Sequence, residues 1–265
     1  MINQRIAIIG AGNLGKSIIN GLINNQLVSP NQLYATRRNC FDLQTYRDKG
    51  IHISDNNKAV AQEATILIIA VKPYNVQAVL EDLAPILTPN HLIVSVATGI
   101  TLAEVRNYSG GKAKIARAMP NIGAEVQASL TCLTLDELDE HDQQTVDRIF
   151  GVLGKNIHIP ENLMESATIL GACGIAFVLR FMRAMVQGGV QIGFDSKTAN
   201  EIVNHTVFGA AKLIMDNNYH PEAAIDLVTT PKGCTIEGLN EMEHAGFSSS
   251  LIKGIVASYK NIELK

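Results

Sequence analysis

The sequence predicts a doubly wound α/β domain followed by an all-helical domain, and three observations carry that expectation. Up to about residue 160, short apolar runs alternate with amphipathic segments, the order of a βαβ chain. Runs such as Ile66-Leu67-Ile68-Ile69-Ala70-Val71 are apolar at every position, as expected where helices cover both faces of a sheet. From Met164 to Leu264, by contrast, no good strand stands out, and apolar residues recur at three- and four-residue spacing. The expected domains are therefore 1–160 and 161–265.

Taken in order, strands are expected at Arg5–Ile9, Leu33–Thr36, Ile66–Val71, Leu92–Ser95, Lys114–Met119 and Lys155–Ile159, each a short apolar run. Between them, apolar spacing predicts helices at Asn13–Asn25, Phe41–Asp48, Asn75–Ile86, Leu102–Tyr108 and His141–Leu153. The second half is expected to hold helices at Leu163–Leu170, Ile175–Gly193, Ser196–Asn217, Pro221–Val228, Thr235–Ala245 and Ser248–Ile262. Pro221, Gly246 and the loop 229–235 punctuate them. There is no internal repeat and no low-complexity segment.

Composition narrows the function classes. A chain of 265 residues, 46% hydrophobic and 18% charged, has the profile of a soluble globular protein with a sizeable core. A net charge of −3 without charge blocks argues against nucleic acid as the main partner. Cys40, Cys132, Cys173 and Cys234 lie far apart, which disfavours a disulfide framework or zinc site and fits a reducing cytoplasm. The seven histidines show no metal-binding spacing either, so no metal is expected. The run Ile6–Ile9 is too short for a signal peptide, and the longest apolar stretch, Thr168–Gly193, carries Arg180 and Arg183. No membrane association is expected.

The chemistry begins where the first strand meets Gly10-Ala11-Gly12-Asn13-Leu14-Gly15 and then a helix. Gly10 permits the tight turn, Gly12 lets a pyrophosphate approach the backbone, and Gly15 allows close helix–strand packing. The amides at the helix start add donors and positive dipole. This places a dinucleotide on a Rossmann-type sheet. After the second strand stand Thr36-Arg37-Arg38, with no carboxylate to bind ribose hydroxyls. Guanidinium groups pair with a 2′-phosphate that a carboxylate would repel, so NADP(H) is expected over NAD(H). Lys72 stands at another strand end, where open α/β sheets bind ligands. Ser95-Val96-Ala97-Thr98-Gly99 offers small residues for a nicotinamide ring, and Arg117-Ala118-Met119-Pro120-Asn121 reads as a polar turn behind a strand.

These residues resemble the pyrroline-5-carboxylate reductases over essentially the whole chain. The motifs GAGNLG (10–15), AVKP (70–73), SVATGIT (95–101), ARAMPNIGA (116–124), ESATILGACG (165–174) and VTTPKGCTIEGL (228–239) occur in that family's order and spacing. The last two are the specific ones. The resemblance implies an NADP-preferring reductase that converts 1-pyrroline-5-carboxylate to L-proline, with a Rossmann domain and a helical C-terminal dimerisation domain. That domain would intertwine with a partner subunit into a homodimer, often assembling further into decamers. It also implies that Asn57 reaches the adenosine end of the cofactor, that Val71, Lys72 and Ala97 line its ribose and nicotinamide, and that Thr230, Cys234 and Thr235 face the substrate. The expected cofactor set is then Gly10, Gly12, Asn13, Leu14, Gly15, Thr36, Arg37, Asn57, Val71, Lys72, Pro73, Ala97, Met119 and Asn121.

The loop can meet the needs of imine reduction. Pro231 and Gly233 expose backbone, and the amides of Cys234 and Thr235 open a helix, a natural cradle for a carboxylate. The Thr235 hydroxyl is then placed to touch the imine nitrogen and is the expected catalytic group, although spacing alone favours Thr235 as a helix N-cap. The chain departs from the family at Lys232 and Cys234, at Gly174-Ile175 where a Gly-Pro is usual, at Phe177 for a tyrosine, and at Asn218 near a substrate-contacting glutamate. Two alternatives follow: a reductase of another cyclic imino acid, or a non-catalytic NADP-binding protein of the same fold. A β-hydroxyacid dehydrogenase would carry a lysine on the first long interdomain helix, and residues 163–193 contain none.

Overall fold

The computed structural model describes residues 2–263. Its centre is an eight-stranded sheet, comprising β1 (Ile6–Ile9), β2 (Leu33–Thr36), β3 (His52–Ser54), β4 (Ile66–Ile69), β5 (Leu92–Ser95), β6 (Lys114–Met119), β7 (Ser129–Asp136) and β8 (Gly154–His158). The strand order is β3-β2-β1-β4-β5-β6-β7-β8. The first six strands run parallel, β7 runs antiparallel to β6, and β8 pairs parallel with β7. The order 3-2-1-4-5-6 is that of the Rossmann fold, whose direction reverses between β1 and β4.

Alternation along the apolar strands divides the core into two layers. Ile6, Ile8, Ile66 and Ile68 pack with Ile18, Ile19 and Leu22 of α1 (Asn13–Asn24). On that face lie also α2 (Gln44–Asp48), through Tyr46, and α6 (Glu140–Gly151), through Val146, Ile149 and Phe150. Ala7, Ile9, Leu67 and Ile69 face the other way, against α3 (Asn57–Glu63), α4 (Pro73–Leu83) and α5 (Leu102–Tyr108). Burying each such Ile or Leu stabilises by about 1.5–3 kcal/mol, which is why strands apolar at every position require this double cover.

Every expected strand and helix is present, with ends shifted by a few residues. Three elements were not expected. β3 has only three residues, too short to show a period. α3 opens on Asn56, whose side chain accepts from the Ala59 amide. β7 interleaves Thr131 and Thr134 with leucines, yet both threonines are buried, and the Thr134 hydroxyl donates to the Ile159 carbonyl. Arg117 to Met119 lie within the expected strand β6, so only Pro120 and Asn121 leave it, and the Arg117 side chain is only 2% exposed.

A long helical stretch follows, made of a 3-10 turn at Glu161–Leu163, α7 (Met164–Ala167), a π-helix at Thr168–Cys173 and α8 (Gly174–Gln191). By length and composition the stretch Glu161–Gln191 suffices to cross a bilayer, its most apolar 18-residue window having a mean hydropathy of 1.8. One such helix is a weak indication, and Arg180 and Arg183 interrupt its apolar surface. Gly174–Lys260 forms a compact unit apart from the rest of the described chain. It holds α8, α9 (Ser196–Asn217), α10 (Pro221–Val228), α11 (Cys234–His244) and α12, which begins at Phe247 and runs to Glu263. Val186 of α8 packs on Ala199 and Val203 of α9, and Gly189 allows the approach, since a Cβ there would stand 3.1 Å from that of Ala199. Asn218 ends α9 in the left-handed region at φ 53°, so its place is that of a helix terminator.

Candidate active site

The glycine turn after β1 is locked to β2. The amides of Gly10 and Ala11 donate to the Thr36 carbonyl, at 3.2 and 2.7 Å, and Gly10 also reaches the Thr36 hydroxyl at 3.3 Å. Thr36 is therefore buried inside the turn and shapes it, instead of presenting its side chain to a ligand. Each glycine has its own reason. At Gly10 φ is +99°, and a Cβ would lie 2.7 Å from Val71 Cγ1. At Gly15 a Cβ would stand 2.8 Å from the Gly10 carbonyl oxygen and 3.1 Å from Ile8 Cγ2, the close helix–strand approach. At Gly12 a Cβ would meet nothing within 4 Å.

No packing inside the protein explains Gly12, so the free space in front of it fits a ligand that approaches the backbone. Gly12 is the N-cap of α1, no side chain caps the helix, and its first turn carries no acidic residue. The leading amides and the dipole, with Asn13 and Leu14, thus face outward unopposed, the arrangement that holds a pyrophosphate.

Around this cradle the remaining expected residues separate into two groups. Lys72 is exposed and caps α4 with Pro73 at its first position, and again no side chain caps that helix. Asn57 is half-buried at the start of α3, and Ala97 is buried just past β5. Val71 leans on the Gly10 turn. Met119 and Asn121 are instead committed to structure. Met119 packs with Cys132 and Met164. Asn121 donates to the Gly171 carbonyl in the π-helix at 3.1 Å and accepts from the Gly123 amide at 2.9 Å, while its own amide donates to the Ser129 hydroxyl and its carbonyl accepts from the Ala124 amide. Burial pushes the Cys132 thiol up, which leaves it a packing group.

Arg37 is paired with Asp42 at 2.9 Å, whereas Arg38 donates to Asn75 Oδ1 on α4 at 3.3 Å. Their neighbours Phe41 and Tyr74 are 86% and 83% exposed, two apolar rings that the sequence reading passed over. Only their unusual exposure marks them, and exposure is not visible in sequence. Arg117 was passed over as well. It donates to Glu161 at 3.2 Å and to Glu165 at 2.9 Å, and Glu161 also accepts from the Leu102 amide at the start of α5. Two carboxylates one helical turn apart let a guanidinium be buried behind the sheet's carboxyl edge.

In the helical unit, Thr230-Pro231-Lys232-Gly233 is a tight turn closed by the Gly233 amide on the Thr230 carbonyl at 2.9 Å. Pro231 and a φ of +60° at Lys232 give it type II geometry, where glycine is the usual third residue. Gly233 must be glycine, since a Cβ would stand 2.6 Å from Thr230 Oγ1. Gly233 is also the N-cap of α11, which corrects the expectation that Thr235 caps the helix. Closing the turn on Gly233 starts the helix at Cys234, so Thr235 lies inside its first turn with its side chain exposed. The leading amides of α11, those of Cys234 and Thr235 included, have no intrahelical partners and no side-chain cap. Among the described residues no group of three His, Cys, Asp or Glu is gathered to hold a metal.

A Rossmann sheet with an open glycine cradle, followed by a helical unit, defines a dinucleotide-dependent oxidoreductase. Comparison with known proteins sharpens the class. Residues 161–264 match the family described as pyrroline-5-carboxylate reductase dimerisation, and residues 5–99 match NADP oxidoreductase coenzyme F420-dependent. Pyrroline-5-carboxylate reductase 2 of Dictyostelium discoideum is 39% identical over 272 residues, which cover 97% of this chain and 91% of that one. The Methanosarcina acetivorans enzyme is 33% identical, covering 100% and 99%. The chain spans about half, 49%, of a further relative, pyrroline-5-carboxylate reductase 1 of Dictyostelium discoideum, at 39% identity. The solved structure of a pyrroline-5-carboxylate reductase from Coxiella burnetii matches with a TM-score of 0.89 at 28% identity, over 99% of this chain and 98% of that one. A Plasmodium falciparum pyrroline carboxylate reductase with NADP bound shares the fold at a TM-score of 0.92 and 22% identity, over 100% and 98%. The chain belongs to the pyrroline-5-carboxylate reductase family.

Proposed function

We propose that this chain reduces 1-pyrroline-5-carboxylate to L-proline with NADPH, the last step of proline formation. The observation that carries the reading is the pair of uncapped helix starts behind Gly12 and Gly233, each presenting free amides to an anion. Gly10, Gly12, Asn13, Leu14 and Gly15 hold the pyrophosphate, Asn57 the adenosine end, and Lys72, Pro73, Val71 and Ala97 the ribose and nicotinamide. Met119 and Asn121 border that end, held in place by packing and internal hydrogen bonds. The bound cofactor supplies hydride to the imine carbon. The amides of Cys234 and Thr235 hold the substrate carboxylate, with Thr230 and Gly233 shaping the turn. The Thr235 hydroxyl hydrogen-bonds the imine nitrogen and orients it. NADPH is preferred over NADH because the second strand ends in Arg37 and Arg38 without a competing carboxylate at Thr36.

The helical unit is proposed to pair with a second copy, and pairs to assemble further into a decamer, in the cytoplasm. Leu179, Phe208, Met215, Leu227 and Ile252 all stand exposed, far more apolar surface than a lone unit leaves open. Purified protein should oxidise NADPH on addition of pyrroline-5-carboxylate. Thr235→Val should lower kcat by about 10- to 100-fold, the worth of one charge-assisted hydrogen bond. NADPH binding without turnover of this substrate would sink the assignment and favour a different imino acid or a binding role.

A further inference from the structure

The two arginines after β2 are not equivalent. Arg37 already has a carboxylate partner, Asp42 at 2.9 Å, whereas among the described residues Arg38 is held only by the neutral amide of Asn75 at 3.3 Å. The Arg37 pair is built into the fold. The Arg37 amide donates to the Ser54 carbonyl of β3, and the Cys40 thiol donates to the Arg37 carbonyl. On the other side the Phe41 amide donates to the Asn39 side chain, the Leu43 amide to the Cys40 carbonyl, and Leu43 is fully buried. Asp42, between two anchored residues, therefore stands at a set place beside Arg37.

Resting on the NADP reading of this site, we infer that Asp42 sets the cofactor preference by competing with the 2′-phosphate for Arg37. With Asp42 ionised, the turn offers a dianionic phosphate one free guanidinium and one already neutralised. The carboxylate also repels the phosphate directly. NADH lacks that phosphate and does not sense the competition. Arg38 is then the principal phosphate ligand, and the chain discriminates against NADH less than two free arginines would.

The test measures Kd for NADPH and NADH, by cofactor fluorescence at fixed ionic strength, on the whole protein and its variants. Asp42→Asn keeps the shape and removes the charge. NADPH should bind about three- to fivefold more tightly, the range for a partly exposed charge pair, while NADH stays within twofold. The gain should vanish in Asp42→Asn/Arg37→Ala, and Arg38→Ala should weaken NADPH more than Arg37→Ala does. If the arginine variants lose NADPH selectively but Asp42→Asn binds it unchanged or more weakly, Asp42 orients Arg37 and the inference is overturned. If neither arginine variant distinguishes NADPH from NADH, the NADP reading fails and this inference fails with it.

Discussion

The two glycines at the start of α1 separate packing from ligand binding, and alanine at each should have opposite consequences. At Gly12 the added methyl meets nothing within 4 Å, and φ is −77°, open to any L residue. Alanine is a poorer N-cap than glycine by about 0.5–1 kcal/mol, and it restrains the unfolded chain by about 0.4–1 kcal/mol in compensation. The net change should lie within about 0.5 kcal/mol, a Tm shift of no more than about 2 °C for a chain of this size. At Gly15 the methyl would lie 2.8 Å from the Gly10 carbonyl oxygen, a backbone atom that cannot rotate away. Overpacking of that kind costs up to about 3 kcal/mol, and better helix propensity returns about 1 kcal/mol. Gly15→Ala should therefore lose about 2 kcal/mol, or 4–8 °C in Tm. Thermal melts and NADPH titrations on the same preparations give both readouts. Gly12→Ala should melt like the parent and bind NADPH at least about tenfold more weakly, because its methyl occupies the pyrophosphate's approach. A Gly12→Ala protein that melts as low as Gly15→Ala, or binds NADPH within twofold of the parent, would refute the assignment of that space to the ligand.

Two further outcomes follow from the geometry. Arg117→Ala empties a buried site and leaves the partly exposed Glu161 and Glu165 without their cation, and should cost about 2–3 kcal/mol in urea unfolding; a loss below about 1 kcal/mol would show that the network is solvated. Lys232→Gly removes a left-handed residue whose conformation costs about 1–2 kcal/mol and loosens the unfolded chain by about 0.4–1 kcal/mol, so stability should rise by about 0.5–1 kcal/mol. A fall on that substitution would mean that the lysine side chain makes a contact worth more than the strain.

Most of the fold was legible because hydrophobic period is a local property. The six expected strands and the long helices of the second half rest on apolar patterns that a short window displays. The misses have non-local causes. β3 owes its strand to three pairings with β2, Tyr34 to His52, Ala35 to Ile53 and Thr36 to Ser54, not to its own pattern. Arg117 is buried only because Glu161 and Glu165 lie across from it, partners more than 40 residues away that no window contains. The glycine cradle was legible for the opposite reason, since Gly10, Gly12 and Gly15 are separated by the geometry of one turn. The Thr235 cap was misjudged because hydroxyl position alone does not say where a helix begins. The carbonyl of Thr230 decides that, by capturing the Gly233 amide.

The way in which helices begin ties these details to function. Among the described residues, five α-helices begin on a side-chain cap. Asn56 caps α3, Thr101 caps α5, Asp139 caps α6, Asp195 caps α9 and His220 caps α10, each accepting from a leading amide. A cap of that kind is worth about 1 kcal/mol and consumes a donor that a ligand would need. The starts of α1, α4 and α11 carry no such cap. Their N-cap residues are Gly12, Lys72 and Gly233, and these are the three places where sequence motifs assign phosphate, ribose and carboxylate. α2 and α7 also lack caps, but each continues a preceding 3-10 turn whose carbonyls already engage its first amides. On the proposed reading, the stability forgone at the starts of α1 and α11 is recovered when pyrophosphate and carboxylate bind there, so that binding stabilises the protein as well as the ligand.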